Sequence, residues 1–139
     1  MASLLQPDLV ASHASITAYE PGRIDISGTP FLSSVIVSPG AGAEAWHVQT
    51  FEDLRAEDLS ALRRFRPELV LLGTGRRHHM LSARLAAGLC SLGPQAEPPV
   101  GVESMDTAAA CRTFNLLASE GRRVVAALIV QPPTSSPKP

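Results

Sequence analysis

Seven consecutive apolar residues near the end of the chain, residues 124–130 (VVAALIV), constrain its fold more than any other feature. A half-buried strand would place a polar residue at every second position, and this run has none. The run is also far shorter than the ~20 residues that a membrane-spanning helix needs. It is therefore predicted to be a central strand, buried on both faces of a sheet.

Alternating strand and helix signals lead up to this run. The predicted elements, in chain order, are a helix between the Thr50–Asp53 capping pair and Pro67, a strand at residues 68–72, a helix at 81–92 that ends at Gly93-Pro94, a strand at 100–104, and a helix at 106–120 capped by Asp106. Such an order favours parallel strands joined by right-handed helical crossovers.

The first third of the chain is β-like. Strands are predicted at residues 15–19, 23–27, 34–37 and 45–48, with breaks at Glu20-Pro21-Gly22 and Gly28-Thr29-Pro30. They form an antiparallel meander that packs beside or over the mixed sheet. The fold class is α/β (α+β).

The length of 139 residues fits one domain. We expect a mobile N-terminus at residues 1–12, a single globular domain at 13–131, and a disordered proline-rich tail at 132–139. The first residues, MASLLQPDLV, carry no positively charged region, so no signal peptide is predicted. A soluble, cytoplasmic protein without membrane insertion is the expectation.

Composition excludes several classes of function. The net charge of −1 gives no general attraction to nucleic acid. Cys90 and Cys111 lie in apolar helical patterns and are predicted to be reduced core residues. The adjacent His78 and His79 cannot form a helical metal pair, so neither a metal nor another cofactor is expected.

Two strand-to-helix corners are the candidate site. The first corner follows the predicted strand at 68–72, and its glycines would let backbone N–H groups face an anion. The second begins the helix at 106–120, just after Glu103. The candidate ligand-binding residues are Gly73, Thr74, Gly75, Arg76, Glu103, Asp106 and Arg112. No catalytic residue is assigned.

Each corner has two open interpretations. The glycines of the first corner fit a simple chain turn as well as an anion site, because it lacks the third glycine of a dinucleotide fingerprint and the ending of a P-loop. Glu103 fits a structural salt bridge to Arg76 or Arg112 as well as an acid–base role. The stripe of Arg112, Asn115 and Ser119 fits a solvated helix face as well as part of a site.

Two blocks carry a resemblance to a known family: ELVLLGTG at residues 68–75 and VESMDT at 102–107, continued by AACRTFN at 109–115. The chain resembles, over roughly residues 11–131, a small single-domain family whose members include mitochondrial complex I assembly factor 3 and a protein associated with adipogenesis. The resemblance implies a three-layer β/β/α fold, with helices on one side of a mixed central sheet and a β-layer on the other. It brings no catalytic residues.

Two functions from different classes follow. The first is a non-catalytic binding or assembly module that acts through protein partners, with a respiratory-complex role implied by the resemblance. The alternative is a protein or enzyme that binds a small anion, such as phosphate or carboxylate, between the two corners. Whether the chain is an enzyme is left open, with the absence of a catalytic motif favouring a non-catalytic role.

Overall fold

The computed structural model describes residues 14–89 and 100–131. Four sequence-based predictions lie outside the described residues: the N-terminus at 1–12, the tail at 132–139, the environment of Cys90, and the helix end at Gly93-Pro94.

The strands form two sheets. The strands are β1 (Ile16–Glu20), β2 (Arg23–Ile26), β3 (Thr29–Phe31), β4 (Val35–Ser38), β5 (Gly42–Ala45), β6 (Leu69–Gly73), β7 (Gly101–Met105) and β8 (Val124–Leu128). The first three make an antiparallel sheet, and the other five make a mixed sheet in the order β5-β4-β8-β6-β7. Strand β6 pairs in parallel with β7 and β8, whereas β4 is antiparallel to β5 and β8. The predicted fold class is confirmed.

The apolar run occupies the centre of this sheet. Strand β8 lies between β4 and β6, and every one of its residues is buried. Its alternate side chains enter two different hydrophobic clusters, one on each face of the sheet. The prediction of a fully buried central strand is confirmed, because both faces of β8 are covered.

The predicted meander is divided between the two sheets. Ser27 and Gly28 adopt positive φ angles of 51° and 86°, and the chain turns there into β3. Pro30, predicted to be part of a break, lies within β3, an edge strand on which a missing N–H is tolerated. Strand β4 then joins the central sheet. The predicted strand at 45–48 is wrong, since β5 ends at Ala45.

The helical segment before Pro67 is interrupted. Helix α1 (Ala56–Ser60) stands between 3₁₀ turns at Phe51–Asp53 and Ala61–Phe65. Thr50 makes no capping bond; instead the Asp58 carboxylate accepts the backbone N–H of Arg55 at 2.9 Å. The predicted single helix is therefore three short pieces.

Of the next two predicted helices, the one at 81–92 begins later and is shorter than predicted, whereas the one at 106–120 is close to its predicted bounds. Helix α2 (Ala83–Ala86) continues into a 3₁₀ turn at Ala87–Leu89. A Cβ on Gly88 would lie 2.2 Å from the carbonyl oxygen of Ala56, so this turn packs directly against the backbone of α1. Helix α3 (Thr107–Ser119) is close to its predicted bounds, and Asp106 caps it as predicted by accepting the N–H of Ala109 at 2.8 Å.

The helices are distributed over both faces of the central sheet. Leucines of α1 and the 3₁₀ turns pack with β6 and β8 residues on one face. On the other face, Phe114 of α3 shares a cluster with Ile24 of the small sheet and Leu71 of β6. The short helices thus lie opposite the three-stranded sheet, as the resemblance implied, while α3 packs on the same face as that sheet.

Candidate functional site

The structure brings the two predicted corners together at the carboxyl ends of the parallel strands. Gly73, the last residue of β6, is in register with Met105 of β7 and Leu128 of β8. Beyond the strands, the N–H of Thr74 donates to the Met105 carbonyl at 2.8 Å, and the N–H of Thr107 donates to the Gly75 carbonyl at 2.9 Å. The corners are therefore bonded directly to each other.

Thr107, which sequence reasoning did not single out, is the residue that joins them. Its side chain is fully buried; its hydroxyl donates to the Ile129 carbonyl at 2.8 Å and accepts the N–H of Gly75 at 2.9 Å. A Cβ on Gly73 would lie 2.9 Å from this hydroxyl, so a glycine is required there for the close approach. The N–H of Gly75 already has a protein partner.

Two further side chains of the corners, Thr74 and Asp106, also make hydrogen bonds within the chain. The buried Thr74 hydroxyl donates to the Arg77 carbonyl at 2.6 Å and accepts the N–H of His79 at 3.0 Å. Asp106 accepts the N–H of Ala109. The glycines and threonines of the corners therefore satisfy one another's hydrogen bonds, which is what a buried chain turn requires.

The charged candidates lie around these corners and do not pair with one another. Arg76, Glu103 and Arg112 are all exposed. Within residues 14–89 and 100–131, no ion pair joins Glu103 to either arginine. Glu103 instead lines a shallow hollow with His78 and Met80. The salt-bridge interpretation of Glu103 is therefore not supported; Glu103 lines that hollow from the edge strand β7.

Both arginines lie near Tyr19, a residue that no sequence motif marked. Arg112 and Tyr19 line a groove of about 260 Å³ between β1 and α3. Burial raises the pKa of the Tyr19 phenol, nearby Cys111 adds to the increase, and the charge of Arg76 opposes it. Arg76 and Arg112 thus share one end of the molecule.

Asn115 lines the same groove and joins its two sides. Its side-chain oxygen accepts the N–H of Ile16 at 2.9 Å, and its side-chain nitrogen donates to the Ile16 carbonyl at 2.7 Å. This amide bridge fastens β1 to α3. The sequence interpretation of Asn115 as part of a solvated stripe is therefore wrong.

The thiol in this region is buried and protonated. Cys111 is free and 5% exposed, and burial raises its pKa to about 12. A thiol with so high a pKa is almost entirely protonated at neutral pH, which makes it unreactive. Its predicted state, reduced and buried, is confirmed. Across the part of the chain that the structure describes, no group of three or more metal-ligating side chains occurs.

Comparison with known proteins assigns the chain to a family. The model of a family described as "Protein of unknown function (DUF498/DUF598)" matches residues 16–129, which include both corners and the Tyr19 groove. The chain belongs to this family. The resemblance carried by the blocks at 68–75 and 102–115 is thereby confirmed.

Curated relatives of the chain include named assembly factors. NADH dehydrogenase [ubiquinone] 1 alpha subcomplex assembly factor 3 of Danio rerio is 34% identical to the chain over 136 residues, covering 96% of this chain and 73% of that protein. The human protein of the same name is 32% identical and is covered to 67% of its length. A crystal structure of a Bordetella parapertussis protein is similar, with 37% identity, a TM-score of 0.73, and coverage of 86% of this chain and 98% of that one.

No helix in the described ranges is both long and apolar enough to cross a membrane. The longest, α3, has 13 residues.

Proposed function

We propose that this protein is a non-catalytic assembly module that binds protein partners during the construction of a respiratory NADH dehydrogenase. Its relatives of 32% and 34% identity are named as assembly factors of that complex. A cytoplasmic location, in which the protein meets its partner at the membrane surface, is part of the proposal.

The internal bonding of the two corners is the observation that carries this proposal. Small ligands of open α/β sheets bind beyond the carboxyl ends of the strands, where free backbone donors and acceptors receive them. Here Thr74 and Thr107 occupy those positions and make hydrogen bonds within the chain. A macromolecular partner that contacts the outer surface requires no such free donors.

Gene deletion tests the proposed function. In cells that make this protein, we expect its loss to lower the amount of assembled NADH dehydrogenase, and the wild-type gene to restore it. A tagged protein should retain a subunit or assembly intermediate of that complex in near-stoichiometric amount. A normal level of assembled complex in the deletion strain would refute the proposal.

A small-anion site is the second candidate, and one observation favours it. Arg76 and Arg112 lie at the same end of the molecule, around Tyr19, although their corners bond internally. Guanidinium groups pair well with phosphate and carboxylate. The anion would therefore contact these side chains at the outer rim of the corners rather than the N–H groups of Gly73–Arg76.

Thermal shifts separate this candidate from the first. If the anion site exists, phosphate or sulfate raises the melting temperature, and Arg76→Ala and Arg112→Ala each reduce that rise. Arg84→Ala removes an exposed arginine elsewhere and serves as the matched control. An anion effect that is the same in all three variants would exclude the site without affecting the assembly proposal.

A further inference from the structure

A second cleft lies at the opposite end of the parallel strands, and no motif in the sequence marked it. It occupies about 460 Å³ between the turn that follows β4, the segment that enters β6, and the segment that joins α3 to β8. This volume falls within the range of roughly 300–1,000 Å³ that small-molecule pockets occupy. The Tyr19 groove, at about 260 Å³, falls below it.

The floor of this cleft is apolar. Five apolar residues of its lining are Phe65, Pro67, Ala118, Val124 and Val125. Pro67 and the two valines are buried beneath it, so the apolar surface open to the cleft comes from half-buried residues, Pro39 and Phe65. A ligand seated there would cover apolar surface, which favours binding.

The rim of the cleft carries three arginines. Arg64 pairs with Glu44 and Arg122 pairs with Glu68, so each guanidinium is held in place by a carboxylate outside the cleft lining. In Arg64 the guanidinium carbon also lies 4.3 Å from the centre of the Phe65 ring. These contacts fix two cations at the mouth of an apolar pocket.

Arg123 is the third rim arginine and differs from the other two. Its Nε donates to the Arg66 carbonyl at 3.4 Å, and no carboxylate lies within ion-pair distance of it in the described ranges. Its neighbour Glu68 is bonded to Arg122. The guanidinium of Arg123 therefore retains donors that can meet an anion from solution.

We propose that this cleft binds a small organic carboxylate that carries an apolar chain. The planar guanidinium of Arg123 matches a carboxylate with two parallel hydrogen bonds. The apolar chain would lie against Pro39 and Phe65, the half-buried apolar residues of the lining. This binding is independent of the assembly role and of the anion site near Tyr19, because it uses the other end of the sheet.

The test uses isothermal titration of the purified full chain with a series of probes. Octanoate is expected to bind saturably at one site. Hexanoate and butyrate should bind progressively more weakly, by up to roughly fourfold for each methylene removed. Octanol, which lacks the charge, and inorganic phosphate, which lacks the chain, should each bind at least tenfold more weakly than octanoate.

Variants place the binding in the cleft. Arg123→Ala should weaken octanoate binding at least fivefold, and Arg123→Gln, which keeps most of the side-chain length, should do the same. Arg84→Ala removes an equal charge outside the cleft and should leave the affinity unchanged. Unaltered melting temperatures would establish that the variants are folded.

Three results would overturn the proposal. The first is the absence of saturable octanoate binding, and the second is equal binding of octanoate and inorganic phosphate. The third is equal octanoate affinity in the Arg123 and Arg84 variants. None of these results changes the level of assembled NADH dehydrogenase in the deletion strain, so they are distinguishable from failure of the proposed function.

Discussion

The hydroxyl of Thr107 lies 2.8 Å from the carbonyl oxygen of Ile129 and links the start of α3 to the end of β8. The same hydroxyl accepts the N–H of Gly75 at 2.9 Å. Three chain segments that leave the parallel strands therefore meet at one buried oxygen atom. This contact positions the loops at the carboxyl edge of the sheet.

Thr107→Val should destabilise the protein while keeping the side-chain volume. The change leaves the N–H of Gly75 and the carbonyl of Ile129 buried without this partner, and each such group costs roughly 1–3 kcal/mol. Urea denaturation at neutral pH measures the loss. The matched control is Thr113→Val. The Thr113 hydroxyl donates to the Ala109 carbonyl within α3 and lies near the sulfur of Met105, so it does not link the loops. Equal losses for the two variants would contradict the linking role of Thr107.

Asn115→Ala should release β1 from α3. Both backbone groups of Ile16 lose their side-chain partners, and the free energy of unfolding falls by roughly 1–3 kcal/mol. Amide hydrogen exchange of Ile16 should accelerate in this variant. Ser119→Ala is the control, since that hydroxyl bonds to Leu116 in its own helical turn. Unchanged exchange at Ile16 in Asn115→Ala would show that β1 is held by other contacts.

The parts of the fold that could be predicted are those with local signals. Asp106 marked the start of α3 because a capping residue acts on an N–H only three positions away. Strand β8 was predictable because seven apolar residues in a row fit a short strand covered on both sides. Each signal lies within a few neighbouring residues and does not depend on which distant segments pack against it.

The parts that could not be predicted depend on contacts between distant segments. The close approach of Gly88 to Ala56 packs the 3₁₀ turn after α2 against α1, and no local pattern indicates it. The bridge from Asn115 to Ile16 spans 99 positions in sequence. The cleft with three arginines at its rim likewise forms from separate segments, which include Arg64 and Arg123. The spacing of residues along the chain does not indicate which distant segments come into contact.

Cys111 should react slowly with thiol reagents in the folded protein. With its pKa raised to about 12, about one thiol in 10⁴ is ionised at pH 8. Labelling at pH 8 should therefore proceed at the rate of unfolding and become fast in denaturant. Mass spectrometry of the labelled peptides distinguishes Cys111 from Cys90. Rapid modification of Cys111 in the native state would contradict its burial.

The Arg122–Glu68 pair should make stability depend on acid pH. The hydrogen bond that the Glu68 carboxylate accepts from Arg122 lowers the pKa of Glu68 below the ordinary value of 4.5. A carboxyl whose pKa is lower in the folded state stabilises the protein above the unfolded pKa, and this stabilisation is lost as the pH falls through the folded pKa.

Melting temperatures of Glu68→Gln and wild type measure this contribution. The variant should melt slightly lower at pH 6–7, a range chosen above the ordinary carboxyl pKa of about 4. The difference should shrink as the pH falls below 4.5, the ordinary value for this side chain. Glu52→Gln, an exposed carboxyl without an ion pair in the described ranges, is the control. A difference that grows on acidification would have the wrong sign.

Gly88→Ala should separate α1 from the 3₁₀ turn that packs on it. The added Cβ would lie 2.2 Å from the Ala56 carbonyl oxygen, a backbone atom that cannot move aside alone. Overpacking of this kind costs typically about 1–3 kcal/mol, so the midpoint of urea unfolding should fall clearly. Gly40→Ala is the matched control, because a Cβ there meets nothing within 4 Å. The control should be neutral or gain up to about 1 kcal/mol from the reduced entropy of the unfolded chain. If the two alanine variants unfold at the same urea concentration, that result would contradict close packing of α1 against this turn.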